Sequence, residues 1–225
     1  MSEQAQQVIT LPKEVYVRQS GILPFEVLNK STVTVIGVGA IGSFTAFSLA
    51  KMGIGTIHAY DHDTVEPHNL PAQWYRLKDL EQKKPDALAS LLADFGGNVV
   101  SHPEKFVGQS VRGIVVCAVD SMDARLAIWR HVKKCPKVDL FIDGRMGAEV
   151  GKVYAIRPKN PAEVKLYEED LYPSSEAFQA PCTERSTIYC ATGLSAFMVS
   201  AIAGFLSERQ FRPYMVVDFR NGVML

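Results

Sequence analysis

The chain has 225 residues, of which 47% are apolar and 21% charged, the composition of one ordinary globular domain. Its 24 Lys and Arg residues balance its 24 Asp and Glu residues, so no overall field attracts it to nucleic acid or to an anionic membrane. No stretch approaches ~18 uninterrupted apolar residues, and residues 1–8 lack the basic-then-apolar pattern of an export signal. We therefore expect a cytoplasmic protein that binds neither nucleic acid nor membrane.

The cysteines form no C-x-x-C pair, so the sequence predicts no structural zinc site. In a cytoplasmic protein they are expected to be reduced thiols. Cys117 falls in a predicted strand and Cys190 at the start of a predicted helix, where small apolar side chains are typical of the core.

The first half of the chain alternates predicted strands and helices. Thr32–Ile36 is a β-branched run typical of a buried strand, and it leads directly into a glycine-rich turn at 37–42. A helix over 43–52 and a second strand, Thr56–Tyr60, follow. This order of strand, glycine turn, helix and strand predicts a βαβ unit.

The second half continues the alternation and then breaks it. Residues 160–187 show no clear period and are predicted to form a long functional loop. The sequence favours an α/β fold: a Rossmann-like, mostly parallel sheet with helices on both faces and an antiparallel C-terminal extension, all in a single domain over 1–225. The further elements are predicted as helices at 85–95, 122–134 and Ile188–Leu206, and strands at 113–119, 140–143, 151–156, 214–219 and 223–225.

Gly37, Gly39 and Gly42 stand between the first strand and the first helix. Backbone N–H groups and a helix N-terminus can face a phosphate there with no Cβ in the way. Asp61 ends the second strand, where an acid accepts hydrogen bonds from ribose hydroxyls. A tight turn without a ligand and a solvated turn aspartate are the alternatives.

The segment at 61–73, DHDTVEPHNLPAQ, resembles the ThiF/MoeB/HesA family and the adenylation domains of ubiquitin-activating enzymes. The family pattern there is roughly D-x-D-x-V-x-x-S-N-L-x-R-Q. His68 replaces the usual serine, and Ala72 replaces the usual arginine. The positions that match are Asp61, Asp63, Val65, Asn69, Leu70 and Gln73.

The resemblance extends in both directions, in the family's order, from Tyr16 to about Gly147. Upstream, residues 16–24 resemble the family's R-Y-x-R-Q-x-x-L-P segment. Downstream, Lys84 resembles the lysine of its K-x-x-x-A helix. Asp120 and Arg125 then resemble its D-N-x-x-x-R turn, with serine in place of the asparagine.

The resemblance implies an adenylyltransferase that uses ATP and Mg²⁺ to activate a carboxylate. Asp120, at the end of a strand, would hold the Mg²⁺, a hard cation that prefers oxygen ligands. Lys84, Asn69 and Gln73 would line the phosphate site, together with the glycines. In a homodimer, Arg18 would reach the ATP of the opposite subunit.

Several of these assignments have alternatives. Lys83 competes with Lys84 for the family's lysine, and Arg18 could be an ordinary surface charge. The arginine lost at Ala72 could be replaced by Arg76 if that segment is helical. Otherwise the enzyme is slow, or it is a nucleotide-binding relative without activity.

Cys182 lies in the sequence APCTER at 180–185. This resembles the P-x-C-T-x-[KR] segment in which ubiquitin-activating enzymes carry the cysteine that takes the activated protein as a thioester. Arg185 would favour its thiolate. An inert, partly buried thiol is the alternative.

The family implies, as substrate, the C-terminal glycine of a ubiquitin-like β-grasp carrier, whose tail the loop at 160–187 would guide. Residues 1–30 would contact the second subunit. Two other functions stay open. An NAD(P)-dependent oxidoreductase would leave Lys84, Asn69 and Gln73 without a role. An ATP-binding, inactive partner subunit of an activating enzyme would explain Ala72.

Overall fold

The computed structural model describes residues 11–176 and 186–225. The described residues form a single eight-stranded sheet with helices packed on both sides. The strands are β1 (Thr32–Ile36), β2 (Thr56–Tyr60), β3 (Val99–His102), β4 (Gly113–Cys117), β5 (Val138–Gly147), β6 (Val150–Ile156), β7 (Tyr214–Asp218) and β8 (Val223–Met224). The α-helices are α1 (Phe25–Lys30), α2 (Ala40–Met52), α3 (Lys84–Ala93), α4 (Met122–Val132), α5 (Pro161–Glu168) and α6 (Ile188–Leu206).

The strand order is β3-β2-β1-β4-β5-β6-β7-β8. Strands β1 to β5 pair in parallel, and β6 to β8 add antiparallel strands at one edge. The chain moves outward from β1 to β3 and then returns to pair β4 with β1. In open α/β sheets, ligands bind outside the carboxyl ends of the strands at such a switch point. The sequence-based fold class is confirmed.

Two hydrophobic cores lie on the two faces of the sheet. Helices α2, α3 and α6 cover one face, and α4 and α5 cover the other. Helix α6 is long and apolar enough to cross a membrane by length and composition alone, but half of its most apolar window is buried in the molecule. Its apolar character therefore has an explanation in the packing of α6 against α2, β5 and β6.

The structure corrects the sequence-based picture of residues 160–187. Helix α5 lies inside that predicted loop, and Asn160 caps it, because its side-chain oxygen accepts hydrogen bonds from the Ala162 and Glu163 N–H groups at 3.1 and 3.5 Å. A short 3-10 turn, Ser174–Glu176, follows. Helix α1 and strand β3 were also absent from the prediction. Cys182 and Arg185 lie outside the described residues.

Candidate functional site

The three glycines of the turn between β1 and α2 have different physical reasons to be glycine. Gly37 has φ 84°, and a Cβ there would lie 2.8 Å from the Ala118 carbonyl oxygen. A Cβ on Gly42 would lie 1.9 Å from the Gly37 carbonyl oxygen. At Gly39 the nearest atom to such a Cβ is Gln73 Nε2, at 3.9 Å. The fold thus requires glycine at 37 and 42, whereas at 39 the space beside the turn is open.

Asp61 is bound to the glycine turn. The Val38 N–H donates to its Oδ2 at 2.9 Å, and the Asp63 N–H donates to its Oδ1 at 3.0 Å. Its side chain is only 9% exposed. Each carboxylate oxygen has a second lone pair, so Asp61 can still accept from a hydroxyl of a ligand. The structure therefore places the predicted ribose acceptor directly against the predicted phosphate turn.

Lys84 is the first residue of α3, and its side chain is 7% exposed. Its Nζ donates to Asp63 Oδ2 at 3.1 Å. Burial raises the pKa of Asp63, but the hydrogen bond and the charge of Lys84 outweigh it, so this pKa lies below its usual value. Lys83 is instead exposed and donates to the His62 carbonyl at 2.7 Å. Lys84 is thus the buried lysine that pairs with Asp63, and Lys83 is a surface lysine.

Tyr75 completes this arrangement, although no motif in the sequence marks this residue. Its hydroxyl donates to the Val38 carbonyl at 2.7 Å and lies 3.4 Å from the Lys84 carbonyl. Burial raises its pKa well above the usual value, so the phenol stays protonated. Hydrogen bonds run from Val38 through Asp61 and Asp63 to Lys84. The Tyr75 hydroxyl, bonded to Val38 and in contact with the Lys84 carbonyl, closes this ring and fixes the glycine turn against the start of α3.

Asn69 and Gln73 lie on the segment between β2 and α3. Asn69 is buried, and its Oδ1 accepts from the Glu66 N–H at 3.0 Å, so it shapes a 3-10 turn. Gln73 places its amide nitrogen beside Gly39, and its Oε1 is buried with no partner among the described residues. A buried polar atom without a partner costs ~1–3 kcal/mol. Gln73 Oε1 is therefore a candidate to meet a bound ligand or water.

Arg76 was expected to replace the family arginine only if the segment around Ala72 is helical, and that segment is not helical. Arg76 makes a two-point ion pair with Asp79, at 2.9 Å for both contacts, and lies 3.5 Å from Asp94. The side chain of Asp79 is 2% exposed. The condition for replacement is therefore not met, and Arg76 is bound to these two acids.

Asp120 lies on the same edge of the sheet as the glycine turn, since the Ala118 N–H donates to the Ile36 carbonyl at 2.8 Å. Asp120 is exposed, and no described side chain pairs with its carboxylate. Arg125 is buried, donates to Asp143 Oδ1 at 2.7 Å and to the Val119 carbonyl at 2.6 Å, and so holds the end of β4. A free, exposed carboxylate on a fixed backbone suits a Mg²⁺ ligand.

A second group of possible cation ligands lies beside the glycine turn. Asp61, His62 and Asp63 each offer a ligand atom, all within 4.8 Å of one another. Lys84 already neutralises Asp63, however, and Asp61 accepts two backbone hydrogen bonds. This group is therefore better suited to support the turn than to hold a cation.

Arg18 is not brought to this site within the chain. It is exposed, and it follows a 3-10 turn over Lys13–Tyr16 rather than lying on an extended strand. The neighbouring Gln19 donates to the Met52 carbonyl at 2.7 Å, at the C-terminal end of α2. Since α2 has 13 residues, its two ends lie ~20 Å apart. Arg18 is thus at the opposite end of α2 from the glycines.

Cys117 and Cys190 are both fully buried, as their positions in the sequence predicted. Burial raises the pKa of Cys117 to about 12 and that of Cys190 to about 11. Neither thiol is ionised near neutral pH, so neither is suited to act as a nucleophile.

The fold and site together define an α/β domain with a glycine turn at the sheet's switch point. Asp61 and Gln73 border the turn, Lys84 is linked to it through Asp63, and Asp120 follows the carboxyl end of the neighbouring strand β4. The ThiF family model matches residues 16–212, and the chain belongs to the ThiF family.

Two proteins with similar sequences carry different names. The chain is 30% identical over 123 residues to ubiquitin-like modifier-activating enzyme 5 of Bombyx mori, covering 46% of this chain and 31% of that protein. It is 31% identical over 130 residues to tRNA threonylcarbamoyladenosine dehydratase of Bacillus subtilis (strain 168), covering 55% of this chain and 51% of that protein. The chain thus spans only a third to a half of the length of these relatives.

Solved structures share the fold. The crystal structure of PaaA superposes with a TM-score of 0.74 at 17% identity, covering 100% of this chain and 76% of that one. The crystal structure of E. coli MccB with ATP superposes with a TM-score of 0.73 at 15% identity, covering 97% of this chain and 71% of that one. At these identities the likeness is one of architecture.

Proposed function

We propose that this protein adenylates a carboxylate, using ATP and Mg²⁺ at the glycine turn. The observation that carries the proposal is the open space at Gly39. A Cβ there would meet nothing but Gln73 within 4 Å, whereas the other two glycines of the turn are required by the fold. Beside that space stand the amide nitrogen of Gln73, which can donate a hydrogen bond to a phosphate oxygen, and the N-terminus of α2. These groups suit a nucleotide phosphate.

The chemistry asks little of the protein beyond alignment and charge neutralisation. A carboxylate oxygen of the substrate attacks the α-phosphorus of ATP, the bond to the bridging oxygen breaks, and pyrophosphate leaves with that electron pair. The attacking and leaving groups are both anionic, so cationic partners lower the barrier. Lys84 supplies a buried ammonium near the turn. Asp120 would hold Mg²⁺, which would neutralise phosphate oxygens.

We propose the C-terminal glycine of a ubiquitin-like β-grasp carrier as the substrate. Support comes from the relatives whose printed name is ubiquitin-like modifier-activating enzyme 5, from several organisms. The name of the Bacillus relative specifies a tRNA instead. With 24 basic and 24 acidic residues, this chain has no net positive charge to hold a polyanion of that size. A protein carboxylate is the substrate that fits it better.

Exchange of labelled pyrophosphate into ATP tests the adenylation step. With Mg²⁺ and a carrier ending in glycine, the wild-type protein should catalyse this exchange. Lys84→Ala and Asp120→Ala should each lower the rate by roughly 100-fold, a loss of about 3 kcal/mol of transition-state stabilisation. Lys83→Ala is the matched control, because the ammonium of that exposed neighbour donates to the His62 carbonyl and not to Asp63. Unchanged exchange in both Lys84→Ala and Asp120→Ala would contradict the assignment.

One observation favours a second function, that of an ATP-binding, inactive partner subunit. Alanine occupies position 72, and Arg76 is held by Asp79 and Asp94. If the protein binds ATP but exchanges no pyrophosphate with any carrier, the catalytic arginine must come from another chain. Restoration of exchange by a co-purifying ThiF-family subunit would then identify this role.

We further propose a homodimer in which Arg18 completes the opposite site. Arg18 lies at the far end of α2 from its own glycine turn, so it can serve a nucleotide only in trans. The stretch of sequence on either side of Arg18 exposes four apolar residues, Val15, Val17, Ile22 and Val27. Mixing inactive Arg18→Ala with inactive Asp120→Ala subunits should restore some activity, because one site of the mixed dimer is intact. No recovery despite proven subunit exchange would count against a shared site.

For Cys182 we propose that its thiolate attacks the carbonyl carbon of the acyl-adenylate, so that a thioester forms and AMP leaves. Cys182 lies eight residues beyond Ser174, a reach of ~28 Å when extended. Cys182→Ala should keep pyrophosphate exchange but lose any carrier adduct that survives denaturation and is released by strong thiol. Cys190→Ala is the control, because that thiol is buried. Persistence of the adduct in Cys182→Ala would show that another group accepts the acyl chain.

A further inference from the structure

A pair of reciprocal hydrogen bonds joins the first turn of α4 to the segment that follows α5. The Asp123 N–H donates to Ser174 Oγ at 3.0 Å, and the Ser174 N–H donates to Asp123 Oδ1 at 3.1 Å. We call this pair the clasp. Ser121 caps the same turn, since its Oγ accepts from the Ala124 N–H at 3.3 Å. The first N–H groups of a helix have no acceptor within the helix, and Ser174 Oγ supplies one for the Asp123 N–H.

The segment 170–174 is also fixed at its other end. Arg145 Nη1 donates to the Asp170 carbonyl at 2.8 Å, and Lys152 Nζ and the Tyr154 hydroxyl donate to Asp170 Oδ2 at 2.8 and 2.5 Å. Leu171 packs against the core beneath α4 and α5. Segment 170–174 is therefore held in place at Asp170, at Leu171 and at the clasp.

Asp120 lies directly before the residue that caps α4, so its backbone is held from two sides. On the core side, Arg125 binds the Val119 carbonyl at 2.6 Å. On the solvent side, the clasp fixes the first turn of α4. The clasp is exposed, so its hydrogen bonds contribute little to folding, on the order of 1 kcal/mol each. Its position suits a role in orientation rather than in stability.

We propose that Asp123 and Ser174 are positioning residues that couple segment 170–174 to Asp120, and through it to the cation held there for the nucleotide. This inference rests on the proposed function. Coupling between two sites is reciprocal. If the clasp orients Asp120 for Mg²⁺·ATP, then bound Mg²⁺·ATP must also stabilise the clasp.

The first experiment measures how much Mg²⁺ raises the affinity for ATP, by isothermal titration with Mg²⁺ and with EDTA. Ser174→Ala and Asp123→Ala should shrink this factor by about fivefold or more, and should leave the affinity in EDTA unchanged. Ser174→Thr and Asp123→Asn keep the accepting oxygens and should retain the wild-type factor within about twofold. Ser175→Ala is the matched control, because this exposed neighbour takes no part in the clasp.

The second experiment uses the wild-type protein and does not depend on a variant folding. Mg²⁺·ATP should slow hydrogen exchange at the Asp123 and Ser174 amides, the two donors of the clasp, and ATP in EDTA should not. The proposed role of the clasp is overturned if Mg²⁺ raises the ATP affinity of Ser174→Ala and Asp123→Ala as much as that of the wild-type protein. It is also overturned if Mg²⁺·ATP leaves hydrogen exchange at the two amides unchanged. Neither result contradicts the proposed function. Failure of the wild-type protein to bind ATP overturns the proposed function as well.

Discussion

Replacing Gly39 by alanine separates ligand binding from folding at the glycine turn. The added Cβ would have Gln73 Nε2 as its nearest atom, at the ordinary contact distance of 3.9 Å. Gly39 has φ −75°, outside the left-handed region, and it is the N-cap of α2, where alanine is less favourable than glycine by about 1 kcal/mol. The methyl group would fill the space that we assign to a phosphate.

Gly42→Ala is the matched control, because the reasoning predicts the opposite pattern. Its Cβ would lie 1.9 Å from the Gly37 carbonyl oxygen, inside the turn itself. Such overpacking should destabilise the fold by about 3 kcal/mol or more. Any loss of binding in Gly42→Ala would therefore accompany a loss of folding.

Thermal unfolding and isothermal titration with Mg²⁺·ATP decide between these outcomes. Gly39→Ala should lower Tm by only ~2–4 °C, yet weaken ATP binding by at least about tenfold, or 1.4 kcal/mol. Wild-type ATP affinity in Gly39→Ala would refute the assignment of this space to a phosphate. Wild-type stability in Gly42→Ala would refute the requirement of the fold for glycine at 42.

Three further predictions concern the ring of hydrogen bonds, the histidines and α5. Tyr75→Phe leaves the buried Val38 carbonyl without its donor and should cost about 1–3 kcal/mol of unfolding free energy, measured by urea titration. Burial and the nearby charges of His102 and Arg112 lower the pKa of His58. Below pH ~6.5 the unfolded chain therefore binds more protons than the folded chain, and the free energy of unfolding should decrease. His58→Asn should make this decrease smaller. Asn160→Ala removes the cap of α5 and should cost ~1 kcal/mol; an unchanged Tm would contradict the capping role.

The part of the fold that sequence predicted best is the part with the strongest local signals. Thr32–Ile36, Thr56–Tyr60 and Ile188–Leu206 have in the structure the bounds that their patterns predicted. The first two are runs bounded by turns, and the third is long and apolar throughout. Strand β3 was missed because its sequence, VVSH, lies at the sheet edge and shows no clear alternation.

Helix α5 was missed although its signals were present. Asn160 followed by Pro161, with a glutamate at position 163, is a helix start with a cap and a favourable first residue. The helix has only 8 residues, too few for its apolar face to stand out within a long polar stretch. The capping residues at the start of α5 were therefore better evidence for a helix than the absence of a hydrophobic period was against one.

The candidate site was predictable where a motif carried it, and not where contacts across the fold built it. The glycines, Asp61 and Lys84 were found from their order along the chain. The role of Tyr75 depends on a hydroxyl that meets a carbonyl 37 residues away. The commitment of Arg76 to Asp79 depends on a local turn that the sequence did not predict.

The central claim is that the carboxylate of a substrate attacks the α-phosphorus of ATP. The most direct measurement uses a carrier protein whose C-terminal carboxylate is enriched in oxygen-18, with hydroxylamine added as the acceptor. Attack at the α-phosphorus followed by acyl transfer leaves one carboxylate oxygen on the AMP. Mass spectrometry should therefore find AMP that carries one oxygen-18, formed only with Mg²⁺ and lost in Asp120→Ala. Formation of ADP and labelled phosphate, or of AMP without label, would contradict the account.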